Sequence, residues 1–265
     1  MNSPPRLQRI AVLVSTGRHP VSGAPRYSRN DAAALEIGRD LAERQGARLE
    51  VIHAGDARDP AVAEYLALGA RQVDVIACGE GDDAAAMLAA RVQGYDLVLT
   101  GTRAEGAFDS GMLPYRVAAA LGYPLVCAAV DVGTDAAAGR AQVRQFLPKG
   151  LRRRVEVVLP AVIAVHPLAS ATPRYAYARL RAGAVQPVQA ERRADADADA
   201  TAWTVGPIER KPVKLVAAEK RSGHARMLSA TTTESRGGQL VTEGGPVEKA
   251  QTILAYLREH QLIDY

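Results

Sequence analysis

Between residues 10 and 130 the chain repeatedly alternates short continuous apolar runs with longer segments of helical period, and no other feature narrows its fold so far. The strand-like runs are Ile10–Val14, Arg48–Ala54 (RLEVIHA), Val73–Cys78, Asp96–Thr100 and Leu125–Val130. Each is apolar with little alternation, as a strand covered on both faces must be. Helix-patterned stretches separate them: Asp31 to Glu43, Ala61–Leu68, Asp82–Val92 and the segment opening at Pro114. This order predicts right-handed crossovers and a mostly parallel, doubly wound α/β sheet. Hydrophobic residues make up 48% of the chain but aromatics only 5%. The core must therefore be built of Ala, Val, Leu and Ile, which suits helices laid on a parallel sheet.

Local signals place the punctuation. Asn30 or Asp31 is expected to cap the first helix, and Gly69-Ala70 to end the second. The stretch STGRHPVSGAPRYSRN after the first strand reads as a long loop. Residues 101 to 124, GTRAEGAFDSGMLPYRVAAALGYP, form a strand–loop–helix passage in which Ser110 or Gly111 can cap and Pro114 suits the first turn. Amides exposed at such a start, with the helix dipole behind them, can hold an anion; an ordinary surface loop without a ligand has the same local pattern.

After about residue 132 the pattern changes. Gln142–Leu147 and Arg154–Val158 read as two strands joined by the turn Pro148-Lys149-Gly150, and LPAVIAV (159–165) returns the chain to the sheet. The run Arg152-Arg153-Arg154 is either a phosphate or acidic-partner contact or a solvated hairpin edge. Asp-Ala repeats fill 191–202. The tail has one apolar run, 213–217, then a polar region, then a terminal helix from Pro246 whose positions 250, 253, 254 and 257 share one face. These boundaries are expected to divide the chain into an α/β nucleotide-binding domain (1–190), a low-complexity linker (191–204) and a C-terminal arm (205–265) whose helix docks on a partner subunit or on the chain's own domain.

The 265 residues carry a net charge of +4 and a pI of about 9.2. The arginines are scattered and no aromatics interleave with them, so nucleic acid is not an expected partner. Cys78 and Cys127 lie in apolar runs and are expected to be buried reduced thiols. No run approaches the roughly 20 apolar residues of a membrane span, and the expectation is a cytoplasmic protein that is not membrane-inserted. Ligands on doubly wound sheets bind beyond the carboxyl ends of strands where strand order reverses. That singles out the loops after Val14, Ala54 and Thr100. His19, His53 and His166 stand without a carboxylate or Cys at ligand spacing, so no metal site is expected. Of these, His19 follows the first strand on the ligand side and can face a bound nucleotide. Asp56 can accept from adenine or ribose, or cap the next helix, and Arg103 can neutralise phosphate charge.

In order and length these segments resemble the β subunit of the electron transfer flavoproteins. The resemblance is carried by Leu159-Pro160-Ala161-Val162 followed by Pro173-Arg174-Tyr175-Ala176, by the helix opening near Ser28 to Asp31 and continuing AAALEIGRDLAE, by Leu66-Ala67-Leu68-Gly69-Ala70, and by the loop and helix before Gly122-Tyr123-Pro124. It implies an adenine-nucleotide α-hydrolase-like sheet with an added hairpin and a long arm. It also implies a heterodimer with an α subunit that holds most of the redox FAD, and a structural AMP in this chain. Electrons would pass from flavin dehydrogenases to a quinone reductase at the membrane, making the chain an electron carrier with no substrate-converting site. The implied nucleotide contacts are Leu13, Ser15, His19, Ser28, Asp31, Ala54, Asp56, Gly101, Arg103, Ser110, Gly111, Met112 and Leu113. The implied partner-recognition residues are Tyr177, Ala178 and Arg179.

This chain departs from the family pattern in several places. Phe108-Asp109-Ser110-Gly111-Met112-Leu113-Pro114 lacks the polar residues usual at 111 to 113, so the amides of Gly111, Met112 and Leu113 and the Ser110 hydroxyl are left to meet the phosphate. Ser15 and His19-Pro20 stand where a Lys and an Asp-Pro are usual, and Ser28-Arg29-Asn30-Asp31 replaces an N-P-x-D opening. Bifurcation is not expected, because the Asp-Gly-Asp-Thr type loop is missing. Ala178 stands where the family places an anchoring Leu, a loss of about 2 kcal/mol of buried side chain that points to a dehydrogenase other than the acyl-CoA type. The alternative readings are a universal-stress-like homodimer that binds an adenine nucleotide and a nucleotide-using transferase. Residues beyond 140 weigh against the first, and the lack of paired carboxylates or a nucleophile–base set against the second.

Overall fold

The structure is a computed structural model that describes residues 7–19, 21–79, 81–104, 110–135, 138–190, 222–224, 227, 241–259 and 262–263. It divides into two compact units, Met1–Trp203 and Thr204–Tyr265. The linker read at 191–204 and the apolar run at 213–217 lie outside the described residues.

The first unit is built from β1 (Arg9–Val14), β2 (Thr16–Arg18), β3 (Pro25–Tyr27), α1 (Arg29–Gln45), β4 (Arg48–Gly55), α2 (Pro60–Ala67), β5 (Gln72–Ala77), α3 (Ala84–Arg91), β6 (Leu97–Gly101), α4 (Leu113–Leu121), β7 (Leu125–Asp135), β8 (Arg140–Phe146), β9 (Arg152–Val158), β10 (Ala161–Val165), α5 (Tyr177–Ala182) and β11 (Ala184–Val188). Nine strands form one sheet in the order β11-β5-β4-β1-β6-β10-β7-β8-β9. All neighbours from β11 to β7 are parallel, and β8 and β9 extend the sheet antiparallel. The chain moves from β1 to β4 and β5 on one side, and α3 then carries it back to β6 on the other side of β1. Strand order therefore reverses between β1 and β6. The doubly wound sheet and the returning hairpin are as the alternation predicts.

Strand residues point alternately to the two faces. Ile10, Val12, Val51, Val73, Leu97, Leu99 and Ile163 meet α1 and α2 on one face. Ala11, Leu13, Ile52, Ile76, Val98 and Val162 meet α3 and α4 on the other. At the amino end of the strands, charge closes the sheet. Buried Glu50 accepts from Tyr95 Oη, from Arg91 Nη2 and Arg48 Nε at 3.0 Å, and pairs with Arg9 at 3.7 Å. Arg91 also reaches Asp74 at 3.1 Å, and the Arg9 guanidinium lies 3.9 Å above the Tyr95 ring. Asp96 takes the Gln8 and Arg9 amides at 2.8 Å each.

Several local expectations are corrected. Ser28, not Asn30 or Asp31, caps α1; its side chain accepts from the Asp31 amide. Asp59, not Asp56, caps α2, and α4 begins at Leu113 after Met112 rather than after Ser110 or Gly111. The loop after β1 contains the small antiparallel ribbon β2–β3. Cys78 and Cys127 are free thiols but only partly buried, Cys78 because β5 ends one residue before it. β11 was not foreseen. Its Pro187 argues against a central strand, and β11 is an edge strand, where a missing N–H is tolerated. In the β8–β9 turn, Lys149 (φ 59°) and Gly150 (φ 78°) both take positive φ, the conformation of a type I′ hairpin turn.

The described part of the second unit is chiefly α6 (Pro246–Glu259), which buries none of its residues and leaves Val247 69% and Ile253 62% exposed. Among the described residues no helix is long and apolar enough to cross a membrane.

Candidate functional site

β1 and β6 pair only from Ile10↔Leu97 to Val12↔Leu99. Beyond that point the ladder stops, at the place where strand order reverses and a doubly wound sheet is expected to form its crevice. Asp31, in the first turn of α1, spans the opening. One carboxylate oxygen accepts from the Ser15 amide at 2.8 Å and the Ser15 hydroxyl at 2.6 Å; the other accepts from the Gly101 amide at 2.8 Å. A Cβ at Gly101 would overlap the Asp31 carboxylate and sit 2.7 Å from Asn30 Cβ, so only glycine fits there. Burial pushes the Asp31 carboxyl up to about 6, against the lowering effect of its bonds to Ser15, Gly101 and Ser28. No charged side chain is among its partners.

Tyr65 of α2 completes this arrangement. Its hydroxyl donates to the Ser15 carbonyl at 2.6 Å and accepts from the Ser28 amide at 3.0 Å. Ser15, Ser28, Asp31 and Gly101, named separately from the sequence, therefore form one connected set. Tyr65 was missed, although a phenol within the apolar helix PAVAEYLA is itself a signal, since a buried hydroxyl needs a partner.

The loop after β6 leads away from this set. Residues 105–109 lie outside the described residues, including Phe108 and Asp109 of the phosphate-loop reading. Arg103 is exposed. The chain comes back at Gly111, whose φ of +72° favours glycine and whose missing Cβ would stand 3.4 Å from the Thr102 carbonyl oxygen. Ser110 Oγ accepts from the Met112 amide at 3.3 Å. Among the described residues no side chain caps α4, and its first turn holds no acidic residue. The Leu113 and Tyr115 amides at this end have no intrahelical acceptor, while Pro114 has no N–H to satisfy.

Leu13 is buried and Ala54 partly buried on the face covered by α3 and α4. Beyond Ala54 a cleft of about 520 Å³ opens between the ends of β4, β5 and β11, lined in part by Gly55, Asp56, Arg58, Cys78, Asp82 and Val188. Asp56 is turned to Arg58, taking its amide at 2.9 Å and its guanidinium at 3.2 Å, and these bonds hold the carboxyl below its usual range. Burial, with Asp82 and Asp83 nearby, pushes the Cys78 thiol up and keeps it protonated. His53 is buried with Nδ1 2.9 Å from the Val14 carbonyl, and burial keeps it neutral. His19 sits exposed in the β2–β3 turn, where Nδ1 accepts from the Ser22 amide at 3.2 Å. Among the described residues no group of three or more His, Cys, Asp or Glu is placed to hold a metal ion.

Tyr177, Ala178 and Arg179 open α5, which buries none of its residues. Tyr177 is 63% exposed and lies beneath the Arg181 guanidinium at 5.8 Å. Arg179 Nη1 donates to the Arg174 carbonyl at 3.3 Å.

The sequence profile of the Electron transfer flavoprotein domain matches residues 25–205. The protein named Electron transfer flavoprotein subunit beta in Chromohalobacter salexigens is 36% identical over 262 residues, covering 96% of this chain and 95% of the relative.

Proposed function

The chain belongs to the electron transfer flavoprotein family, aligned with a β subunit over nearly its whole length, and from that premise we propose that it is the β half of a heterodimer. It is thus an electron-transfer protein of a flavin-dependent system. In the proposed complex an α subunit holds most of the FAD that carries the electrons, and this chain binds an AMP that does no chemistry. Working in the cytoplasm, the heterodimer takes electrons from flavin dehydrogenases and delivers them to a quinone reductase at the membrane.

The observation that supports the nucleotide is the uncapped start of α4 at the carboxyl end of the sheet. A helix start with no side-chain cap among the described residues and no acidic side chain in its first turn suits a phosphate. The Gly111, Met112 and Leu113 amides and Ser110 would hold the phosphate, with Arg103 near it. Leu13, Ser15, Ala54, Gly101 and His19 would border the nucleoside, and Asp56 the far end. Ser28 and Asp31 stand behind the crevice. The exposed apolar side chains of α6 are what an arm wrapping a partner would present. Tyr177, Ala178 and Arg179 would meet the dehydrogenase. With Ala178 in place of a larger anchor, a donor other than the acyl-CoA type is expected.

Co-expression with a candidate α subunit tests this reading. A yellow heterodimer that yields AMP on extraction, identified by mass, is expected. A stable colourless homodimer that forms no complex with α would overturn it. Removing residues 205–265 should leave the first unit folded and weaken subunit association.

A further inference from the structure

We propose that Asp31 is a positioning residue for the nucleotide: its carboxylate fixes the separation of the β1 and β6 loops, and so shapes the crevice without touching the ligand. The inference rests on the nucleotide reading above.

The ladder between β1 and β6 ends at Val12↔Leu99, so no backbone bond sets the spacing of the residues that follow. The carboxylate supplies that bond instead. Its Oδ2 holds Ser15 and its Oδ1 holds Gly101, at 2.6 to 2.8 Å throughout. Such charge-assisted bonds are short and directional, and taking one loop on each oxygen makes the carboxylate a spacer of fixed length. Asp31 is itself 3% exposed, so it is enclosed rather than presented to solvent.

The surroundings make the spacer rigid. Ser28 caps α1 at the Asp31 amide, and Tyr65 ties Ser28 to the Ser15 carbonyl, so the carboxylate is held from behind while it holds the loops in front. Gly101 admits no side chain in the gap. Of the titratable groups on the packed elements, Tyr65 is bound to Ser15 and His53 to the Val14 carbonyl. Neither places a charge on Asp31. α1 covers one face of the sheet and α4 the other. The spacer thus acts from the side opposite the proposed phosphate turn.

The test uses the full heterodimer and added AMP. Asp31→Asn keeps the shape but sets an NH2 group against a donor, and AMP affinity is expected to fall by about tenfold or more, with flavin content and the thermal midpoint of the nucleotide-free protein little changed. Ser15→Ala, which removes only the hydroxyl bond, should weaken AMP several-fold less. In 15N-labelled wild-type β subunit the Ser15 and Gly101 amide resonances should shift together as the carboxyl titrates, and should not do so in Asp31→Asn. Unchanged AMP affinity in folded Asp31→Asn or Ser15→Ala, or amides that titrate independently, overturns the positioning role and leaves the nucleotide reading standing. A wild-type heterodimer that neither contains nor binds AMP overturns the nucleotide reading itself.

Discussion

Glu50 and Asp31 are both buried carboxylates of the same sheet, one toward the amino end of its strands and one at the carboxyl end, and their surroundings drive them in opposite directions. Burial alone would raise both. At Glu50 the Tyr95 hydroxyl and the charges of Arg48, Arg91 and Arg9 outweigh burial and hold the carboxyl below its usual range. At Asp31 the partners are neutral donors, and burial prevails. The amino end is thus sealed by cancelling charge. At the carboxyl end, among the described residues, the Asp31 carboxyl is held by neutral donors alone.

The contrast can be broken most forcefully at Glu50. Glu50→Ala leaves the largely buried Arg91 with Asp74 as its remaining acidic partner, and should cost about 4 kcal/mol of stability in urea unfolding. Asp31 should show itself next, in pH dependence. Its carboxyl stands at about 6 in the fold against 3.8 when unperturbed. The native state therefore holds the proton more tightly, and stability falls as pH rises from about 4 to about 6, by up to about 3 kcal/mol. Glu50 has the opposite sign, its stabilisation being lost as pH falls through its lowered value. Asp31→Asn should remove the Asp31 slope, while Glu50→Gln should steepen the net decline with rising pH. Gly101→Ala drives a methyl group into the Asp31 carboxylate and should cost about 2 kcal/mol. Lys149→Asn, remote from both carboxylates, relieves the positive φ of the hairpin turn. It should add about 0.5 kcal/mol without altering either slope.

How far the sequence could be read follows the same division. Strands such as Ile10–Val14 and Val73–Cys78 were legible to within a residue or so because burial on both faces leaves an unbroken apolar run. β2, β3 and β11 were not: short pairings in a Gly, Pro and Ser stretch, and an edge strand containing Pro187, carry no such run. At the α1 start, Ser28, Asn30 and Asp31 are all good caps by type. The choice was made by Tyr65, which bonds the Ser28 amide, and by the loops that claim the Asp31 carboxylate. Ser15, Ser28, Asp31 and Gly101 could be named one by one, yet their union required knowing that β6 lies beside β1. The Glu50 cluster stayed hidden because a single Glu inside RLEVIHA shows neither its burial nor its distant arginines.

One feature of the sheet reaches beyond its finished form. β10 lies between β6 and β7, yet the ribosome produces it after β7, β8 and β9. Until residue 165 has emerged, the nascent chain has a slot where β10 belongs, and the β7–β8–β9 meander has no neighbouring strand through which to join the β1–β6 portion. Long-range pairings of this kind are slow to form and leave strand edges open meanwhile. Pausing of translation shortly after the codons for β9 should therefore leave the nascent sheet in two separate parts, accessible to chaperones, and synthesis of β10 should join them.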